Sequence, residues 1–103
     1  MKKNTGEGIR QMIEYPKSGI LSKDISSEDK IDSTLFCMAK GTKMSEHTST
    51  KEGIFYVLDG KGTFNLSGAR HDMVPGAIIH MDKNAVHSLK ADENTSFVLF
   101  LFD

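Results

Sequence analysis

At 103 residues and 38% apolar content, the chain has room for one domain with a core of modest size. Its 13 basic and 14 acidic side chains leave a net charge of −1 with neutral histidines, which removes the electrostatic footprint of a nucleic-acid binder. No apolar stretch approaches the roughly 18 residues of a membrane span, and no apolar region follows the basic start Met1-Lys2-Lys3, so neither a membrane partner nor a secretory signal is expected.

The first thirty residues carry the weakest pattern. Residues 9–15 fit either a helical turn or a strand before Pro16 and Gly19 break them. Gly19-Ile20-Leu21-Ser22-Lys23 fits a short edge strand, and Ser26-Ser27-Glu28-Asp29-Lys30 a polar loop. From Ser33 the pattern changes to short apolar runs separated by turn residues. Leu35-Phe36-Cys37-Met38-Ala39 ends at Lys40-Gly41. Cys37, the one cysteine, can form no internal disulfide; it reads as a core or barrel-lining residue in a reducing, cytoplasmic protein. Ile54-Phe55-Tyr56-Val57-Leu58 is a continuous run of β-favouring residues that stops at Asp59-Gly60-Lys61-Gly62, a hairpin signal. Thr63-Phe64-Asn65-Leu66-Ser67 alternates as a half-buried strand does, Gly68-Ala69-Arg70 turns the chain, and Pro75-Gly76 breaks it again. Strands over 77–81, 85–89 and 97–102 follow, separated by Asp82-Lys83-Asn84 and Asp92-Glu93-Asn94. Short strands with such frequent turns predict an all-β sandwich or barrel.

Two stretches carry paired motifs. In the first, Gly41 is followed after five residues by His47-Thr48-Ser49, then by Gly53, and after six more residues by Gly60. In the second, Gly76 precedes Asp82-Lys83-Asn84, and His87 closes an Asn-x-x-His phrase. Order and spacing resemble the two conserved motifs of the cupin family, in its small single-domain form, over residues 35–102. The resemblance implies a single-domain double-stranded β-barrel, or jelly roll. Residues 31–103 would form the barrel and residues 1–30 an N-terminal strand and loop region that joins two copies in a homodimer.

In the metal-binding members that the resemblance points to, three histidines and a glutamate hold one divalent ion. This chain matches two of those positions, His47 and His87. Ser49 stands where a second histidine is usual, and Gly53 where the glutamate is usual; Asp82 and Asn84 replace a proline and a glycine. Strand alternation sends Glu52 to the face opposite Gly53. A bulge at Lys51-Glu52-Gly53 would turn it back and give a His47, Glu52, His87 set suited to a divalent ion such as iron, manganese, nickel or zinc. In the register set by His47 and Gly53, Phe55 and Val57 face inward, either as core or as the apolar wall of a pocket whose polar points are His47, Ser49 and His87. Two readings follow: a binding protein for a small molecule, a sugar or an organic acid, with an incomplete metal-ligand set; or a divalent-metal oxygenase, isomerase or lyase working with the reduced site. A third, a bare dimer scaffold for protein contacts, has no motif to support it. His71 reads as a solvated strand-end residue and His80 as half-buried surface or subunit contact.

Overall fold

The computed structural model describes residues 8–27 and 31–102. Among them, a one-turn 3-10 helix over Ile9–Met12 precedes nine strands: β1 Ile20–Ser27, β2 Ile31–Met38, β3 Lys43–His47, β4 Glu52–Asp59, β5 Gly62–Leu66, β6 Ala69–Met73, β7 Ile78–Met81, β8 His87–Ala91 and β9 Thr95–Phe102. They form two antiparallel sheets, one ordered β1-β2-β9-β4-β7 and the other β3-β8-β5-β6. No helix among the described residues is long and apolar enough to cross a membrane. The turn spacing predicts an all-β sandwich or barrel and the resemblance implies a jelly roll, and that is the fold observed.

Alternation places the core. Along β4, Gly53, Phe55 and Val57 are buried while Ile54 and Tyr56 are not, so one face looks between the sheets. Met38, Phe55, Val57, Ile79, Met81 and Phe97 from the first sheet meet Phe64, Met73, Leu89 and Ala91 from the second in one cluster. Phe55 and Phe64 join the sheets edge to face, with ring centroids 4.6 Å apart, an arrangement worth about 0.5–1.5 kcal/mol beyond area burial.

A second cluster, Leu35, Cys37, Leu58 and Val98, lies on the outer face of the five-stranded sheet, beneath Ile9, Met12, Ile13 and Tyr15. The cover explains why Val57 and Leu58, neighbours on one strand, are both buried. A register shift between Val57 and Asp59 opens β4 there, and both of its faces are roofed. Cys37 is therefore a residue of this outer cluster rather than of the barrel lining. Residues 9–15 resolve into a 3-10 turn followed by extended chain, and Tyr15 Oη donates to Ser96 Oγ at 3.1 Å.

β1 pairs with β2 from Ile20 to Ser27, so strands on both sides of residue 30 share one sheet. Other expectations need correction. The Asp59-Gly60-Lys61-Gly62 signal is not a hairpin, because β4 and β5 belong to different sheets. The turn carries the chain around a barrel corner, where a Cβ on Gly60 would stand 2.5 Å from the Asn94 carbonyl oxygen. Close backbone approach is what selects glycine there. The β5–β6 hairpin instead turns on Ser67 and Gly68, both at positive φ (49° and 84°) as a type I′ turn requires, with Ala69 and Arg70 already in β6. Of the expected polar loop, Ser26 and Ser27 end β1, and 28–30 lie outside the described residues.

Candidate functional site

His47 ends β3 and His87 begins β8, and the two are direct cross-strand partners. Sequence places Met44 and His47 three apart, which would put them on opposite faces of a regular strand. The register instead runs Met44 with Leu89 and then His47 with His87, so one extra residue bulges out between them. That bulge turns His47 inward. The two ring centroids are 4.0 Å apart at 58°.

Each imidazole is fixed by a carbonyl two residues upstream. His47 Nδ1 lies 2.8 Å from the Ser45 oxygen and His87 Nδ1 lies 3.1 Å from the Ala85 oxygen. A carbonyl only accepts, so both Nδ1 atoms carry the proton and, in the neutral rings, both Nε2 atoms keep a lone pair. His87 is buried, 3% exposed, while His47 is exposed. Phe64 stacks on His87 at 5.9 Å and 6°, and Phe55 meets its edge at 6.1 Å. Burial lowers the His87 pKa from its ordinary 6.5, the hydrogen bond to Ala85 opposes the shift, and the neighbouring His47 adds to it. His87 is therefore held neutral.

The expected residues divide. His47 and His87 meet, and Phe55 backs His87 while belonging to the core. Val57 lies further along β4, wholly buried in the same core cluster. Ser49 is half-buried in the β3–β4 loop; its hydroxyl accepts from the Lys51 N–H at 3.1 Å, and its carbonyl accepts from the Asn84 N–H at 2.7 Å, tying the loop to the β7–β8 turn. Glu52 does not join the histidines. No bulge turns it inward: it faces outward beside Ile54 and pairs with His80. His71 is exposed on β6, as a solvated residue should be.

Sequence reading missed Phe64 and Leu66. Leu66 is the partner of His87 across β5 and β8. Alternation over 63–67 put the two on one face, but only strand pairing shows that this face meets His87. Inward-facing Leu66, Leu99 and Leu101 are only partly buried, so this end of the barrel is open and apolar.

The resemblance implies a divalent metal between the histidines, and the donor set does not fit a closed protein-only site. Two imidazole nitrogens are available, one or two short of the usual complement. The Ser49 hydroxyl is engaged with the backbone. A side chain begun at Gly53 would meet the methyl ends of Leu101, Met81 and Leu99 at 3.1–3.3 Å, an apolar setting for a carboxylate.

The family model described as a cupin domain matches residues 34–102. No curated protein matches the chain in sequence. A conserved protein of unknown function from Streptococcus pyogenes superposes with a TM-score of 0.88 at 18% identity, covering 100% of this chain and 90% of that one. A cupin superfamily protein from Desulfitobacterium hafniense gives 0.88 at 17%, covering 99% and 94%. A salicylate 1,2-dioxygenase mutant from Pseudoaminobacter salicylatoxidans gives 0.75 at 15%, covering 82% of this chain and 26% of that one. At such identities the likeness is one of fold.

Proposed function

The chain belongs to the cupin domain family, and from that premise we propose that it binds a small molecule at the open end of its barrel, with His47 and His87 as the polar contacts. One observation carries the reading: paired imidazoles, both with Nδ1 tied to backbone carbonyls, present Nε2 acceptors over an apolar floor of Phe55, Phe64 and Leu66. A few convergent polar groups in an apolar surround is the composition of small-molecule sites. Nε2 acceptors favour a ligand that donates through hydroxyl groups, a sugar or other polyol, over an ionised acid, which has only acceptors to offer. The enzyme reading with a His47, His87 and Glu52 set loses its carboxylate, because Glu52 is on the other face. Buried Cys37 suits a reducing, cytoplasmic setting. We also place the chain in a homodimer. β1 and β7 are the outermost strands of the five-stranded sheet, and open strand edges invite pairing. Light scattering at micromolar concentration is expected to give twice the chain mass; a chain-sized mass overturns this.

A panel of sugars, polyols and organic acids in a thermal-shift assay tests the binding reading. A ligand at about 100 times its Kd stabilises by about 2.7 kcal/mol, several degrees for a domain of this size. The expected result is a shift with a hydroxyl-rich compound that His47→Ala removes. A shift that persists unchanged in His47→Ala, or no shift across the panel, overturns it.

A further inference from the structure

We infer that the outer face of the five-stranded sheet carries a divalent-cation site built from Glu52, His80 and Asp82, separate from the barrel interior. One ligand atom from each of the three lies within 4.8 Å of the others. The imidazole stands at the centre of the set: Nε2 meets Glu52 Oε2, and Nδ1 lies 3.8 Å from Asp82 Oδ1.

The ladder explains the convergence. β4 and β7 pair with Ile54 opposite His80 and Gly53 opposite Met81. Carrying that register one step further sets Glu52 opposite Asp82, the residue after β7. His80 and Asp82 are two apart on extended chain, so they share the side that Glu52 occupies. Like charges placed opposite one another on a sheet repel. A divalent cation neutralises both carboxylates and gains a nitrogen ligand. Two ligands come from paired strands, whose backbone positions are held by the ladder.

The donors are two carboxylates and one imidazole. Carboxylates suit manganese and imidazole suits iron, nickel and zinc, so the mixed set selects a first-row divalent ion such as Mn2+ or Zn2+. The Glu52 and Asp82 side chains are 45% and 85% exposed and His80 is 52% exposed. Water can complete the coordination, and the ion needs no channel.

The test is calorimetric titration of metal-stripped protein with ZnCl2 and MnCl2 near pH 7.5 in a non-coordinating buffer. Running it in a His47→Ala background keeps any ion at the barrel mouth out of the count. One ion per chain is expected in that background, with affinity reduced at least tenfold by His80→Ala and by Asp82→Asn. Asp82 lies outside the strands, so its variant keeps the test independent of β7 folding. A parallel 15N spectrum should show the His80 ring nitrogens moving with zinc while those of His87 stay. Absence of binding heat, or binding that both variants leave intact, overturns the site and leaves Glu52 and His80 as a surface ion pair. Neither result bears on ligand binding inside the barrel.

Discussion

Asn84 shows how much one backbone angle can decide. Its φ is 63°, left-handed, and it occupies the place where the second motif usually has glycine. After glycine, asparagine is among the few residues that enter this region routinely, whereas other L residues lose roughly 1–2 kcal/mol. Asn84→Gly should therefore stay near wild-type stability in urea unfolding, and Asn84→Ala should fall by about that amount. Equal midpoints for the two variants would contradict the strain argument. At His87 the relevant quantity is a proton. Its folded pKa is lowered chiefly by burial, so the unfolded chain takes up a proton first as pH falls. The stability is fully present above about 6.5, the ordinary value for histidine, and is lost as pH drops through 6.5 toward the lowered folded value. Urea midpoints at pH 7.5 and 5.5 should differ less in His87→Gln than in wild type. An unchanged difference would mean that His87 already titrates normally in the folded protein.

Elements were legible where a strand has one wet face and one dry face. Thr63-Phe64-Asn65-Leu66 disclosed its period directly, the continuous run around Phe55 took its facing from the register of His47 and Gly53, and the strict alternation that sent Glu52 outward is what the ladder shows. Sheet membership was not legible. Asp59-Gly60 reads as a hairpin because glycine in a turn and glycine under a crossing chain look alike in sequence. The bulge in β3 was also hidden, since Ser45 and Glu46 carry no mark of it, yet it alone brings His47 opposite His87. The His47–His87 pair itself was visible from motif spacing, while its Phe64 and Leu66 neighbours depend on the pairing of β5 with β8, which sets Phe64 opposite Leu89 and Leu66 opposite His87. The corner supplies an element-scale prediction. In Gly60→Ala the new Cβ would stand 2.4 Å from Thr95 Oγ1 and 2.5 Å from backbone at Asn94 and Thr95, at φ +113°. Backbone cannot swing aside as a methionine end can. Overpacking and the left-handed angle together should cost more than about 3 kcal/mol. Gly68→Ala, in open space at φ +84°, should lose only the conformational part, about 1–2 kcal/mol. Similar losses for both would mean that the corner relaxes.

For the whole molecule, the barrel carries two cores, and the second depends on the N-terminal segment. Leu35, Cys37, Leu58 and Val98 face away from the barrel interior, with Ile9, Met12, Ile13 and Tyr15 packed against them together with Leu21, Ile25 and Phe100. The polar ties of that segment include Tyr15 to Ser96, Arg10 to Asp59 and the Leu58 carbonyl, and Glu14 to Lys23. Arg10 and Asp59 are 63% and 44% exposed, and an ion pair so wet contributes little. Apolar contact must hold the cover in place, at about 25 cal/mol for each Å² it removes from water. A chain beginning at Gly19 keeps β1 and the barrel but uncovers Cys37, now fully buried. It should unfold at lower urea, and its thiol should react with an aromatic disulfide reagent within minutes, while the intact chain reacts only at its global unfolding rate. Because the first core is untouched, the truncated chain should still bind at His47 and His87. Slow labelling of Cys37 in the truncated protein would show that the sheet closes over the thiol without its cover, and that residues 9–15 are an addition to the barrel rather than part of what folds it.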